Sequence, residues 1–328
     1  MPRSPAYLFF PCSRVAEDQL NGLFDFVWPT AVAMWNLRWQ LKGFLSEHPD
    51  AGQIELCHRF ISSHRINPPH TLNYANLVKA QSGNWSEQTS ELAKLVLTNS
   101  IAIYEAFLEE LCGAVGLTGG QNTHLQFPTS APYRGSHSYQ TVLTGLAGAR
   151  SPTMDSELYP GLVASRNNQL GNLEPMMVCY RCFKEMRNAW IHSGGRVNDA
   201  YRANAINAFS TTCNPAQLGL LHMTAPPTVA IGGMVNVELP NVVAFTAVLR
   251  KLIATLDAEF ARVMRAEDIL VDEWRAKFGL AVDLKRDPTR RYRQLKSRLH
   301  SMGLPSPASC VDLDLMLQGK GAYTVSRL

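Results

Sequence analysis

"SEQTSELAKLVLTNSIAIYEAFLEELCGAVG", residues 86 to 116, is the strongest helical pattern in the chain. Leu92, Leu95, Val96, Ile103, Phe107, Leu108 and Leu111 recur at the spacing of one helix face. Ser86 is placed to cap the first turn, and the glycines from Gly113 to Gly120 end the helix. A polar stretch rich in Gly, Pro and Ser follows, from 118 to 138, and reads as a loop.

The same period dominates outward in both directions. Upstream, it predicts a helix over 16–46 broken near Pro29, then shorter helices over 51–64 and 71–80. Downstream, it predicts helices over 138–147, 155–170, 174–193 and 197–209, and a long amphipathic one over 241–265. "PPTVAIGGMVNVELP", 226 to 240, alternates apolar residues around Gly232-Gly233 and predicts a small β-hairpin. Beyond about residue 275 the tail is basic and less regular. Boundaries near 80 and 275 divide the chain into an N-terminal helical segment (1–80), a central helical unit (81–270) and a basic C-terminal segment (271–328).

Composition is that of an ordinary globular chain of 328 residues, 46% hydrophobic and 18% charged. The N-terminal apolar run is too short for a signal peptide, and the apolar stretch "FDFVWPTAVAMWNL" carries Asp25 and Pro29, so no membrane span is expected. Seven scattered cysteines do not form a disulfide framework, and the expected setting is the cytoplasm. "CYRC", Cys179 to Cys182, has metal-like spacing but no second ligand pair, so neither metal nor cofactor is expected. The aromatic run Trp28, Trp35, Trp39 and Phe44 has helical spacing and reads as core or an interface.

Charge is uneven. The formal net charge is +4, but residues 285 to 298, "KRDPTRRYRQLKSR", hold seven basic residues and one acidic. Lys285, Arg286, Arg290, Arg291, Arg293, Lys296 and Arg298 therefore form a candidate polyanion contact, with nucleic acid as the default partner.

"EMRNAWIHSGGRV", 185 to 197, carries the remaining chemistry. An Arg five residues before a His also occurs at Arg59/His64 and Arg65/His70, so spacing alone decides nothing. Only Arg187 is followed by Asn188, an apolar spacer and a His192 in the last helical turn before glycines suited to a left-handed cap. Arg187 is permanently cationic and forks onto phosphate oxygens; a histidine at a helix C-terminus is suited to proton transfer. Five helical residues turn the two side chains about 140° apart, so they do not share one face.

This motif resembles the Arg-Asn-x-x-x-His signature of the HEPN (higher eukaryotes and prokaryotes nucleotide-binding) superfamily. "LVLTNSIAIYEAFLEEL", 95 to 111, is similar to the long helix preceding the motif in that family, with Glu105 where a site-facing polar residue falls. The resemblance covers about residues 86 to 265. It implies an all-α helical bundle, here with a small β-hairpin insertion and extra terminal segments. It implies a homodimer with RNA as substrate and metal-independent cleavage through attack by the 2′-hydroxyl. His192 would act as base or acid, Arg187 would stabilise phosphate charge, Asn188 would position and Glu105 would orient. It also implies a role in phage defence or a toxin–antitoxin pair, with a regulatory or antitoxin protein as a further partner. In a subgroup a tyrosine two residues after the histidine is modified; here that position is Gly194. The alternative is a helical RNA-binding or oligomerisation module without catalysis.

Overall fold

The computed structural model describes residues 7–60, 79, 82–130, 132, 137–220, 223–224, 226–280 and 282–326. The architecture is all-α with one small β element. Helix α1 spans Pro11–Glu47, α2 Gln53–Phe60, α3 Trp85–Ala114, α4 Gln121–His124, α5 Tyr139–Leu146, α6 Pro152–Glu157 and α7 Tyr159–Val163. Then follow α8 Leu173–Ser193, α9 Ala200–Thr212, α10 Leu239–Phe260, α11 Met264–Phe278, α12 Pro288–Ser301 and α13 Val311–Gly319. The helix expected over 71–80 lies outside the described residues apart from Lys79.

Helix α10 is the axis of the fold. By length and composition it could cross a membrane, contrary to the expectation from the sequence. It is instead wrapped by α1, α3, α7 and α8. While Val243, Ala247, Arg250 and Lys251 on one side are only half-buried, Phe245, Leu249, Leu252, Ile253, Leu256 and Phe260 are all buried beneath these neighbours. Each such side chain contributes roughly 1.5–3 kcal/mol by leaving water. Phe183 of α8 stacks on Phe245, with ring centroids 4.5 Å apart. One continuous core runs from Leu8 to Tyr323, while Leu41 and Leu56 form a small second cluster where α2 folds onto the far end of α1.

Several boundaries differ from the sequence reading, each for a local reason. Helix α1 continues through Pro29, which lies with Asp25 on an exposed face, where losing one N–H partner costs less than in the interior. The cap of α3 is Asn84, whose Oδ1 accepts from the Ser86 N–H at 3.1 Å, in place of Ser86. Leu95, counted on the apolar face, is 62% exposed. The segment 155–170 splits into parts of α6 and α7 and a short 3-10 turn begins at Leu170.

The β element also lies elsewhere than expected. Segment 226–240 does not pair with itself. Its turn at Ala230–Gly233 is stitched to the chain leaving α8: Val197 N–H donates to Gly233 O, Gly232 N–H to Val197 O and Val235 N–H to Gly195 O, at 2.7–2.9 Å. The one sheet named among the described residues is parallel, pairing β1 (Asp283–Leu284) with β2 (Thr324–Val325).

The basic tail is regular. Asp287 caps α12, accepting from the Arg290 N–H at 2.9 Å. One carboxylate gathers the turn before α13: buried Glu157 accepts from the N–H groups of Ser309, Cys310 and Asp312 at 2.8, 2.9 and 3.3 Å. Cys310 takes the left-handed conformation, φ +79°, that lets these donors converge. Burial pushes the Glu157 pKa up, but the Ser309 hydroxyl and these N–H groups outweigh it, and it falls below the ordinary glutamate range.

Candidate functional site

Helix α8 ends as the sequence predicts. Gly194 and Gly195 adopt φ +58° and +91°, and the Gly195 N–H closes onto Ala189 O at 3.0 Å. Gly195 is also sterically required, since a Cβ there would lie 3.0 Å from the Trp190 ring and 3.1 Å from Met234 Cε. Trp190 in turn sits beneath the Lys94 ammonium of α3, 3.4 Å from ring centroid to Nζ. The terminus is thereby fixed between α3 and the 229–235 turn, whose Val229 is gripped at both backbone groups by the Asn207 amide.

Tyr180, Lys184 and Arg187 recur along one face of α8, and Glu105 of α3 projects toward it. Glu105 Oε2 lies 3.1 Å from Arg187 Nη2, and Oε1 lies 2.5 Å from Lys184 Nζ and 3.4 Å from the Tyr180 hydroxyl. Arg187 Nη1 donates to Asn188 Oδ1 at 3.0 Å, while its Nε is buried with no partner among the described residues. Lys184 also donates to Gln126. Two cations therefore share one carboxylate, leaving a partly buried surplus of positive charge. Burial lowers the Lys184 pKa, and the Glu105 contact opposes that shift.

Three of the four motif residues chosen from sequence, Glu105, Arg187 and Asn188, are thus joined. His192 is not in that cluster. It stands exposed in the last turn of α8 and makes no hydrogen bond or ion pair among the described residues. Sequence reasoning missed Lys184, whose signal was its position one turn before Arg187 on the same face. Glu185 serves a different network, bridging Arg181 at 2.5 Å and Arg202 at 3.3 Å in the interior.

The basic segment is divided by the fold. Lys285, Arg286, Arg290, Arg293 and Lys296 are exposed. Arg291 instead turns inward: its Nε and Nη2 grip buried Asp314 at 2.8–3.0 Å, and its Nη1 caps the carbonyls of Lys285 and Arg286. Arg298 lies over the Phe278 and Trp274 rings, 4.8 and 5.6 Å from their centroids. No hydrogen bond or ion pair joins this segment to the Glu105 cluster among the described residues.

Other sequence candidates carry less. Cys179 and Cys182 are fully buried, burial raises both thiol pKa values, and no group of three metal-ligating side chains is found among the described residues. His64, Arg65 and His70 lie outside the described residues. Comparison of the chain with protein-family models, with curated proteins and with solved structures finds no match, so the HEPN resemblance rests on the residues themselves.

Proposed function

We propose that the chain is an endoribonuclease of the HEPN kind, with its site at the C-terminal end of α8. The observation that carries this reading is the gathering of Arg187, Lys184 and Asn188 about Glu105, with His192 exposed in the last turn of the same helix. In the proposed reaction the 2′-hydroxyl of a ribose loses its proton and attacks the adjacent phosphorus. The bond to the 5′-oxygen breaks, and that oxygen takes up a proton. His192 moves a proton at one of these oxygens. Arg187, helped by Lys184, meets the charge growing on the phosphate oxygens in a partly dry setting, where such contacts act strongly. Glu105 holds both cations in place and Asn188 fixes the guanidinium plane. The exposed face of α12 would carry the RNA backbone.

A second reading rests on a specific observation. Arg187 is already bonded to Glu105 and Asn188, as a purely structural arginine would be. The chain would then be a binding module for RNA or for its own copies. Incubation with end-labelled RNA in EDTA separates the two. The enzyme leaves 2′,3′-cyclic phosphate and 5′-hydroxyl ends; retention of intact RNA in a tight complex supports the module.

A further inference from the structure

Helix α1 carries an apolar face on its outer side. Asp25, Trp28, Val32, Trp35, Trp39 and Lys42 follow one another at alternating steps of three and four residues, the seam positions of a two-stranded coiled coil. All six are exposed, and the four apolar members retain 50, 57, 41 and 51% of their surface in contact with solvent. Of the run expected to be core or interface, Trp28, Trp35 and Trp39 are therefore not core, whereas Phe44 packs against the Leu41 and Leu56 cluster. Trp35 does touch Trp39 and Trp85 edge-on, at 5.7 and 4.9 Å between centroids, which holds the indoles in place without covering them.

The order of residues along the seam has a symmetry. A second helix laid antiparallel, with the two-fold axis crossing between Val32 and Trp35, sets Val32 against Trp35, Trp28 against Trp39 and Asp25 against Lys42. Apolar meets apolar and each end closes with opposite charges. A parallel pairing would instead set Asp25 against Asp25 and Lys42 against Lys42. We propose that two copies of this chain associate through α1 in the antiparallel register.

Three observations favour a second copy over other occupants. The charges of α1 are mixed, with Arg14, Arg38 and Lys42 against Glu17, Asp18, Asp25 and Glu47, so the helix lacks the positive surplus that nucleic acid needs. A groove of about 700 Å³ opens beside Trp28, lined by Ala31, Trp85, Leu239, Pro240 and Val243. The antiparallel register brings the partner's Trp39 to its mouth. Finally, half-exposed indoles offer on the order of 100 Å² each, and with Val32 and the Lys42 stem the seam buries roughly 900 Å² over both copies. That is below the lower bound of about 1,200 Å² for specific interfaces, so the dimer should dissociate at low micromolar concentration. The inference gives a surface to the dimer implied by the functional reading, but its test follows association alone and is independent of RNA cleavage.

Sedimentation velocity of the full chain across the micromolar range tests it, with circular dichroism to show that each variant is folded. Wild type should be a reversible dimer and Val32→Glu a monomer. Asp25→Lys and Lys42→Asp should each weaken association about tenfold through opposed like charges. Combining Asp25→Lys with Lys42→Asp should restore it. A wild type that stays monomeric, or a dimer indifferent to Val32→Glu, overturns the surface. Failure of the paired exchange to restore association overturns the antiparallel register.

Discussion

The cations at the end of α8 and those along α12 are held in opposite ways. In α8, Arg181, Lys184 and Arg187 are drawn against carboxylates, and each is partly or wholly out of water. In and just before α12, Lys285, Arg286, Arg290, Arg293 and Lys296 stand in solvent, and only Arg291 and Arg298 are withdrawn. The first arrangement places few charges where the local dielectric is low and the geometry fixed, which suits action on one phosphate. The second spreads many screened charges over a face, which suits contact along a backbone. What a cation does here follows from the carboxylate or ring within its reach rather than from its neighbours in sequence.

Arg291 and Arg293 test that contrast most sharply. Arg291→Ala leaves buried Asp314 without its cation, with the Tyr323 hydroxyl still bonded to it, and should lower stability by about 3 kcal/mol. Arg293→Ala removes a solvated charge and should stay within about 0.5 kcal/mol of wild type. Urea denaturation of both variants measures the difference; equal losses would erase the distinction within the segment.

The next effect concerns the two buried carboxylates that pin the chain's ends. Asp257 of α10 accepts from the N–H groups of Phe9 and Phe10 at 2.6 and 2.9 Å, yet burial outweighs them and raises its pKa to about 6. The folded state therefore favours its protonated form. That contribution is greatest below about pH 4 and is lost as pH rises through about 6. Glu157 has the opposite sign: its contribution is present above the ordinary glutamate range and lost as pH falls through its depressed pKa. Relative to Asp257→Asn, wild type should gain about 2 kcal/mol when acidified from neutral pH to about pH 4.5. Denaturation of both proteins at the two pH values reads this; parallel curves would remove Asp257 as the titrating group.

The smallest effect belongs to the exposed face. Replacing Arg290 and Arg293 together by Ala should weaken RNA binding without changing stability. It should also reduce the slope of log affinity against log salt by about one per residue. An unchanged slope would remove α12 from the RNA path.

Much of the fold was legible where local signals agree. The end of α8 was fixed by paired glycines after an apolar spacer, and the α3 pattern located its helix to within a turn. Where tertiary contacts decide, the sequence was silent. Val197 and Gly195 claim the backbone groups that a 226–240 hairpin would have paired internally. The charge of α12 hides a helix whose buried residues are only Leu295 and Leu299. Periodicity placed Trp28, Trp35 and Trp39 on one face but carries no information on whether anything covers them. Around Glu105, the structure joins Arg187 and Asn188, which the motif singles out, and adds Lys184, which the motif does not signal because its contact is with Glu105, far away in sequence.

The central claim is that a proton-transfer group and a guanidinium act together at the end of α8. It is tested most directly by measuring RNA cleavage and RNA binding for wild type and His192→Ala in EDTA. The account predicts binding unchanged and cleavage slower by about 10²–10⁴-fold. Cleavage by His192→Ala at the wild-type rate would contradict it.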